Sequence, residues 1–181
     1  TDRLARIVDE ILLASQLSSG SLSLAQDQFD PVALADATVE AERARLPERL
    51  ALDLVAADEV PPAAGDSEKA RQVLEDLIDN AVKYSPGGGR IEVAVDRNDG
   101  SVRFTVRDEG VGIPLGEQER IFEKFYRLDP DQTGGVGGTG LGLYICRELV
   151  RRMNGRMSVD SEPGVGSTFT FELPVAPPPV S

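Results

Sequence analysis

The chain has 181 residues, of which 40% are hydrophobic, so it is long enough for one globular domain with an ordinary core. Its formal net charge of -12 argues against nucleic acid or an anionic membrane surface as the main partner. One cysteine excludes an internal disulfide framework, and the lack of histidine in the sequence excludes a Ser-His-Asp triad and histidine metal ligands. Any divalent cation must therefore be held by oxygen ligands.

Residues 1–17 predict an amphipathic helix, in which apolar and charged side chains take opposite sides. Two arrangements fit such a helix: a surface helix packed on its own domain, or half of a coiled-coil stalk whose partner helix lies elsewhere. The helical pattern is already under way at Thr1, which favours the stalk. The apolar side carries Leu4, Ile7, Val8, Ile11 and Leu12, and the other side carries Arg3, Arg6, Asp9 and Glu10.

The remaining elements interleave helices with strands joined by tight turns. Strands joined in this way pair antiparallel, whereas a doubly wound sheet needs strict alternation of strands and helices. The order therefore predicts an α/β two-layer sandwich, with a mixed, mainly antiparallel sheet of about five strands and three helices on one face. The helices are predicted at 29–46, 66–85 and 141–154, and the strands at 50–56, 91–96, 102–106, 156–160 and 167–173.

The predicted helix at 66–85 has a polar stripe along the margin of its apolar half. Asp76, Asn80, Lys83 and Tyr84 follow one another at i, i+4, i+7 and i+8, so they share one side of the helix. A carboxylate, an amide oxygen, an ammonium group and an aromatic ring suit a metal-bound polyphosphate and a stacked base. The alternative for Asn80 is a satisfied amide at the border of the core.

Two glycine-rich runs predict close approach of the backbone to a ligand. In residues 108–112, Asp108 ends a strand, and its carboxylate can accept a hydrogen bond from an exocyclic amine of a purine. The alternative for Asp108 is a turn residue that caps its own backbone. Residues 138–143 open directly onto an apolar helix, and a helix N-terminus offers free N–H groups to phosphate.

Residues 127–140 are rich in glycine and poor in apolar anchors, which predicts a lid that orders over a bound nucleotide. The alternative is a plain flexible loop. Phe122, Phe125 and Tyr126 precede the segment as its hinge.

Four segments in this order resemble the N, G1, F and G2 boxes of the catalytic, ATP-binding domain of bacterial sensor histidine kinases, in the GHKL superfamily. They are 72–86, 108–114, 121–127 and 138–143. The likeness implies a GHKL-type sandwich.

The resemblance also implies a division of the chain. Residues 1–24 are similar to the end of the second helix of the family's dimerisation and phosphoacceptor domain, with its linker. Residues 25–175 would be the catalytic domain, and 176–181 a disordered tail.

By position, the resemblance implies that Asn80 holds Mg²⁺ and that Asp108 accepts the adenine amine of ATP. Asp76 is a second candidate for the metal, although the family often has asparagine there. Asn80, Lys83 and Arg127 would serve phosphoryl transfer. The other implied nucleotide contacts are Tyr84, Gly110, Gly112, Ile113, Lys124, Gly138, Thr139, Gly140, Leu141, Gly142, Leu143 and Thr168.

The function implied by the resemblance is transfer of the ATP γ-phosphoryl group to a histidine, and from there to an aspartate of a response regulator. The acceptor would lie on a dimerisation domain, because this chain has no histidine. We expect a cytoplasmic location, either for the whole protein or for the cytoplasmic part of a membrane-bound sensor. For this segment we expect no nucleic-acid partner, no membrane contact and a homodimer through residues 1–17. The alternatives are a GHKL-type serine kinase or ATPase, like an anti-sigma-factor kinase, and a non-catalytic nucleotide-binding module.

Overall fold

A five-stranded sheet forms one layer of the computed structural model, which describes residues 2–128 and 138–179. The strand order is β2-β4-β5-β7-β6, in which β2 runs parallel to β4 and every other neighbouring pair is antiparallel. The described strands, in chain order, are β1 (Asp27–Phe29), β2 (Leu50–Ala56), β3 (Ala63–Gly65), β4 (Gly89–Asn98), β5 (Ser101–Asp108), β6 (Arg156–Glu162) and β7 (Gly166–Pro174).

Helices α2 (Pro31–Arg43), α3 (Ser67–Lys83) and α4 (Gly142–Arg152) pack on one face of this sheet. Asp30 caps α2 by accepting from the N–H groups of Val32 and Ala33, and Asp66 caps α3 by accepting from Lys69. The predicted fold class is confirmed: a mixed, mainly antiparallel sheet of five strands is covered on one face by three helices.

The core lies between α3 and the sheet because the helix and the strands each turn a regular apolar side inward. Along β5 and β7 every second side chain is buried, and Phe104 stacks on Phe171 with ring centroids 4.6 Å apart. The apolar half of α3 packs in this core, and these of its side chains are fully buried or nearly so: Val73, Leu74, Leu77, Ile78 and Ala81.

The strands β4 and β5, predicted at 91–96 and 102–106, pair antiparallel across a tight turn. Asn98 pairs with Ser101, so Asp99 and Gly100 form a two-residue turn, and Asp99 has a positive φ of 53°. A small sheet of β1 and β3 was not predicted, since three-residue strands carry too little alternation to be recognised. Ala176, at the start of the predicted tail, is buried, and its N–H donates to the carbonyl of Pro62 at 2.8 Å.

The first helix, α1 (Asp2–Ser19), packs against α4. It does so with Leu13, Ala14 and Leu17, which are buried. The predicted apolar stripe lies elsewhere on the helix and stays exposed, for example at Leu4 (65%) and Leu12 (57%). Within residues 2–128 and 138–179, no helix is both long enough and apolar enough to cross a membrane.

Candidate functional site

A cavity lies beside α3, between the loop that follows β5 and the start of α4. It is open to solvent at its mouth, and polar and apolar side chains both contribute to its walls. It brings together most residues that the sequence predicts for a ligand site: Asp76, Asn80, Lys83, Tyr84, Asp108, Gly112, Ile113, Arg127, Gly138, Thr139, Gly140, Gly142 and Leu143.

The polar stripe of α3 faces this cavity because the opposite half of the helix is buried in the core. Asp76, Asn80, Lys83 and Tyr84 all line the wall, and Asp79 joins them. Burial raises the pKa of the Tyr84 hydroxyl, while the nearby Arg127 guanidinium acts in the opposite direction. The helix therefore presents an amide oxygen, an ammonium group and a phenol ring to one hollow.

Asp108 is a buried carboxylate at the end of β5, with 5% of its surface exposed. Its Oδ1 accepts the N–H groups of Gly110 at 2.8 Å and Ser167 at 3.3 Å, which is the turn geometry considered as an alternative. Within the described part of the chain, Oδ2 has no hydrogen-bond partner. Burial raises the pKa of Asp108, and the two backbone donors partly offset this. One carboxylate thus fixes the turn and offers an acceptor to the cavity.

The loop after β5 fits tightly between α3 and the turn that joins β6 to β7. A Cβ on Gly110 would lie 2.1 Å from the carbonyl oxygen of Tyr84, and a Cβ on Gly112 would lie 2.1 Å from that of Glu162. Gly112 also has a φ of +74°, which favours glycine. Gly110 is not among the lining residues, so its part is to allow the loop to pass.

Two serines support the loop after β5, and sequence reasoning missed both. Ser167 lines the cavity, and its hydroxyl lies 2.8 Å from that of Ser161. Ser161 also accepts the N–H of Ile113 at 2.8 Å, and Gln118 donates to the carbonyl of Ile113 at 3.0 Å. These bonds hold the loop after β5 against the β6–β7 hairpin.

Three other predicted contacts, besides Gly110, do not line the cavity either. Lys124 points away from the cavity: its Nζ donates to Ser18 Oγ at 2.6 Å and lies 5.0 Å from the centroid of the Tyr144 ring. Thr168 lies between Ser167 and Phe169, which both line the cavity, so alternation turns it to the opposite face of the sheet. Leu141 is buried, and its N–H donates to Thr139 Oγ1 at 3.2 Å.

The predicted lid falls mainly on 129–137, which lie outside the described residues. Its flanks are described, and they meet, because the N–H of Phe125 donates to the carbonyl of Gly140 at 2.9 Å. Arg127 and Gly138 on the two flanks line the cavity.

Acidic groups line the wall next to Asn80. They are Asp76 and Asp79 of α3 and Glu10 of α1. The sequence pattern had placed Glu10 on the side of its helix away from the apolar stripe, facing solvent. That prediction is wrong, because α1 packs with a different face and Glu10 lies on that face. Among the described residues, no three acidic or sulfur ligands are placed to hold a metal by themselves.

Asp76 lies in a buried, acidic setting that changes its pKa. Burial, reinforced by the Asp79 carboxylate, raises the pKa of Asp76 to about 7, and the hydrogen bond from Cys146 Sγ opposes this. The thiol itself is buried, and burial raises its pKa well above the usual value, which leaves an unreactive core cysteine.

This perturbation predicts a pH-dependent stability. A carboxyl with a raised pKa in the fold favours folding while protonated, so its contribution is lost as the pH rises from about 4 to about 7. Asparagine carries no charge at either pH, so Asp76→Asn avoids this loss. The free energy of unfolding of the variant, relative to that of the parent, should therefore be about 1–3 kcal/mol higher at pH 8 than at pH 5. Urea unfolding at both pH values measures this. The exposed Asp58→Asn is the matched control. If Asp76→Asn differed from the parent by the same free energy of unfolding at both pH values, the raised pKa of Asp76 would be contradicted.

Comparisons with known proteins agree with this geometry. Residues 65–177 match the family described as histidine kinase-, DNA gyrase B-, and HSP90-like ATPase. The adaptive-response sensory kinase SasA of Thermosynechococcus vestitus is 38% identical over 179 residues, which cover 97% of this chain and 46% of that protein. The sensor histidine kinase WalK of Bacillus subtilis is 45% identical over 111 residues, which cover 60% of this chain and 18% of that protein.

A solved structure, full-length ShkA in complex with AMPPNP, matches with a TM-score of 0.86 at 30% identity, over 97% of this chain and 36% of that chain. The chain spans less than half the length of these relatives. The matched family covers more than half of the chain and includes every cavity-lining residue named above except Glu10. The chain therefore belongs to the histidine kinase-, DNA gyrase B- and HSP90-like ATPase family, as a catalytic ATP-binding domain of the sensor histidine kinase type.

Proposed function

We propose that this chain binds Mg-ATP in the cavity beside α3 and transfers the γ-phosphoryl group to a histidine on a dimerisation domain outside it. An aspartate of a response regulator would then receive the phosphoryl group. The observation that carries the proposal is that Asn80 and Lys83, the carboxylate of Asp108 and the glycines before α4 line one cavity. The AMPPNP bound in ShkA, and the kinase names of the relatives, support it over a serine kinase or a non-catalytic module.

The adenine would lie against the loop after β5. Oδ2 of Asp108 is an acceptor in a buried setting, so it suits the exocyclic amine of adenine. Ser167, rather than the predicted Thr168, is the hydroxyl residue of β7 on this side, and Ile113 supplies apolar surface. A base without the amine would leave the carboxylate unpaired, and this selects adenine.

The phosphates would lie between α3 and the N-terminus of α4. Helix α4 begins at Gly142, and no described side chain caps it, so its first N–H groups are available to phosphate oxygens. Lys83 and Arg127 bring positive charge to the same cavity in a chain of net charge -12. Phosphoryl transfer depends mainly on such positioning and charge neutralisation.

Magnesium fits the donor set of this wall. Mg²⁺ prefers oxygen ligands and is commonly bound through one or two protein oxygens together with substrate phosphates. The amide oxygen of Asn80 would hold it, with Asp76 as a second candidate, and the lack of a complete metal cluster among the described residues agrees with a site that the nucleotide completes. When bound, the ion neutralises charge on the phosphate oxygens.

The histidine acceptor must lie outside this chain, which has no histidine. We place residues 1–24 at the end of a dimerisation helix and 25–175 in the catalytic domain. The exposed apolar side chains of α1 support a homodimer through 1–17, because Leu4, Val8, Ile11 and Leu12 otherwise face water. A cytoplasmic location follows from the proposed substrate, since ATP and response regulators are found there.

Two measurements test the proposal. Calorimetry should show that this chain binds ATP, and binds it more tightly with magnesium than with EDTA. The longer protein that contains this chain should take up acid-labile, base-stable label from γ-labelled ATP, whereas this chain alone should not. Acid-stable label would support the serine-kinase alternative, and acid-labile label on this chain alone would contradict the need for an outside acceptor.

A further inference from the structure

Helix α1 contributes a carboxylate to the nucleotide cavity, although it precedes the part of the chain that matches the family. Glu10 lies three, four and seven residues before Leu13, Ala14 and Leu17, so it shares the face with which α1 packs on the domain. One turn earlier, Arg6 forms an ion pair with Asp79 at 3.5 Å. Glu10 is therefore directed to the cavity by the packing of its own helix.

A single hydroxyl proton links Glu10 to the second glycine run. Thr139 Oγ1 donates to Oε2 of Glu10 and accepts the N–H of Leu141 at 3.2 Å. A threonine hydroxyl has one proton to donate. Thr139 therefore cannot donate to a phosphate oxygen while it is bonded to Glu10. The carboxylate takes the place of an anionic ligand oxygen, in charge and in hydrogen bonding.

Among the described residues that line the cavity, the one that α1 contributes is acidic, because the α1 cation Arg6 is held outside the lining by Asp79. While α1 is docked, the cations Lys83 and Arg127 share the cavity with the carboxylates of Glu10 and Asp79. A triphosphate adds negative charge to these walls, and like charges at short range in a partly buried site repel. Departure of α1 would remove Glu10 and release the hydroxyl of Thr139.

We propose that Glu10 competes with the triphosphate of ATP, so that docking of α1 and binding of ATP oppose each other. This inference rests on the proposed function, because it requires ATP in this cavity. The opposition is reciprocal by thermodynamic linkage: docked α1 weakens ATP binding, and bound ATP loosens α1 by the same factor. Adenosine carries no phosphate and is not affected.

The substitution Glu10→Gln tests the charge, because glutamine keeps the size and an oxygen that accepts from Thr139. We expect the dissociation constant for Mg-ATP to fall by about tenfold, which is within the usual range of coupling between sites. The dissociation constant for adenosine should stay the same. Calorimetry on the whole chain measures both. Asp9→Asn is the matched control, since it removes the same charge from an exposed position next to Glu10, and it should change neither constant.

Hydrogen exchange gives the reciprocal measurement. In the parent chain, Mg-ATP should speed exchange of the α1 amides around Leu13 to Leu17, and adenosine should not.

Unchanged ATP affinity in Glu10→Gln would overturn the inference. Weaker ATP affinity in this variant would also overturn it, because Glu10 would then be a metal ligand rather than a competitor. If neither parent nor variant binds ATP, the proposed function fails; if both bind with equal affinity, only the opposition fails.

Discussion

Asp108→Asn is expected to weaken ATP binding by about 10- to 100-fold, the value of one hydrogen bond to a charged group. The asparagine oxygen can take over the two backbone N–H groups that Oδ1 of Asp108 accepts, from Gly110 and Ser167. The amide nitrogen then faces the cavity in place of Oδ2. A donor there meets the donor of the adenine amine, so the base loses its partner while the turn is kept.

Calorimetry with ATP, adenosine and inosine triphosphate separates this effect from damage to the fold. The affinity of Asp108→Asn for adenosine should fall by the same factor as its affinity for ATP. Inosine triphosphate carries a carbonyl in place of the amine, so its affinity should fall less or should rise. Asp160→Asn makes the same chemical change at an exposed position of β6 and should have no effect. Equal losses for ATP and inosine triphosphate would show that Asp108 supports the loop rather than the base.

Asn80→Ala is expected to weaken ATP binding by about 10- to 100-fold when magnesium is present. In EDTA the affinity should change by less than about threefold, because no ion is bound there. The amide oxygen of Asn80 is the proposed protein ligand of the ion, whereas the proposed contact to the base comes from Asp108, another residue of the cavity wall. Removing the amide therefore takes away the gain due to magnesium and leaves the rest of the site.

Adenosine is the internal control for this variant, since its binding involves no phosphate and no ion and should be unchanged. Asn80→Asp keeps an oxygen at the same place and should recover part of the magnesium-dependent affinity. A loss of equal size in magnesium and in EDTA would mean that Asn80 holds the end of α3 instead, which is the bordering-amide alternative.

The fold could be predicted from the sequence because its long elements carry strong local signals. The apolar half of α3 recurs at helical spacing, and the strands β4 and β5 alternate on either side of a two-residue turn. The same periodicity placed Asp76, Asn80, Lys83 and Tyr84 on one stripe, and all four line the cavity. Local pattern was sufficient wherever one helix or strand sets the direction of a side chain.

The errors fall where direction depends on contacts between distant segments. Lys124 has the right charge for a phosphate, but α1 lies beside it and its ammonium group donates to Ser18. Glu10 follows the packing of α1 on α4, which no spacing within α1 reveals. Thr168 is a different case: Ser167 shares the face of Phe169 by simple alternation, so the strand pattern points to Ser167, whereas the resemblance pointed to Thr168.

The burial of α3 has a consequence for the thermodynamics of ligand capture. Leu74, Leu77 and Ile78 are fully enclosed, so the backbone that carries Asn80 and Lys83 is already fixed before any ligand arrives. Little conformational entropy then remains to be lost from that wall on association, and a larger part of its contact energy is retained as affinity. The same rigidity means that the wall cannot reshape itself around a differently shaped molecule.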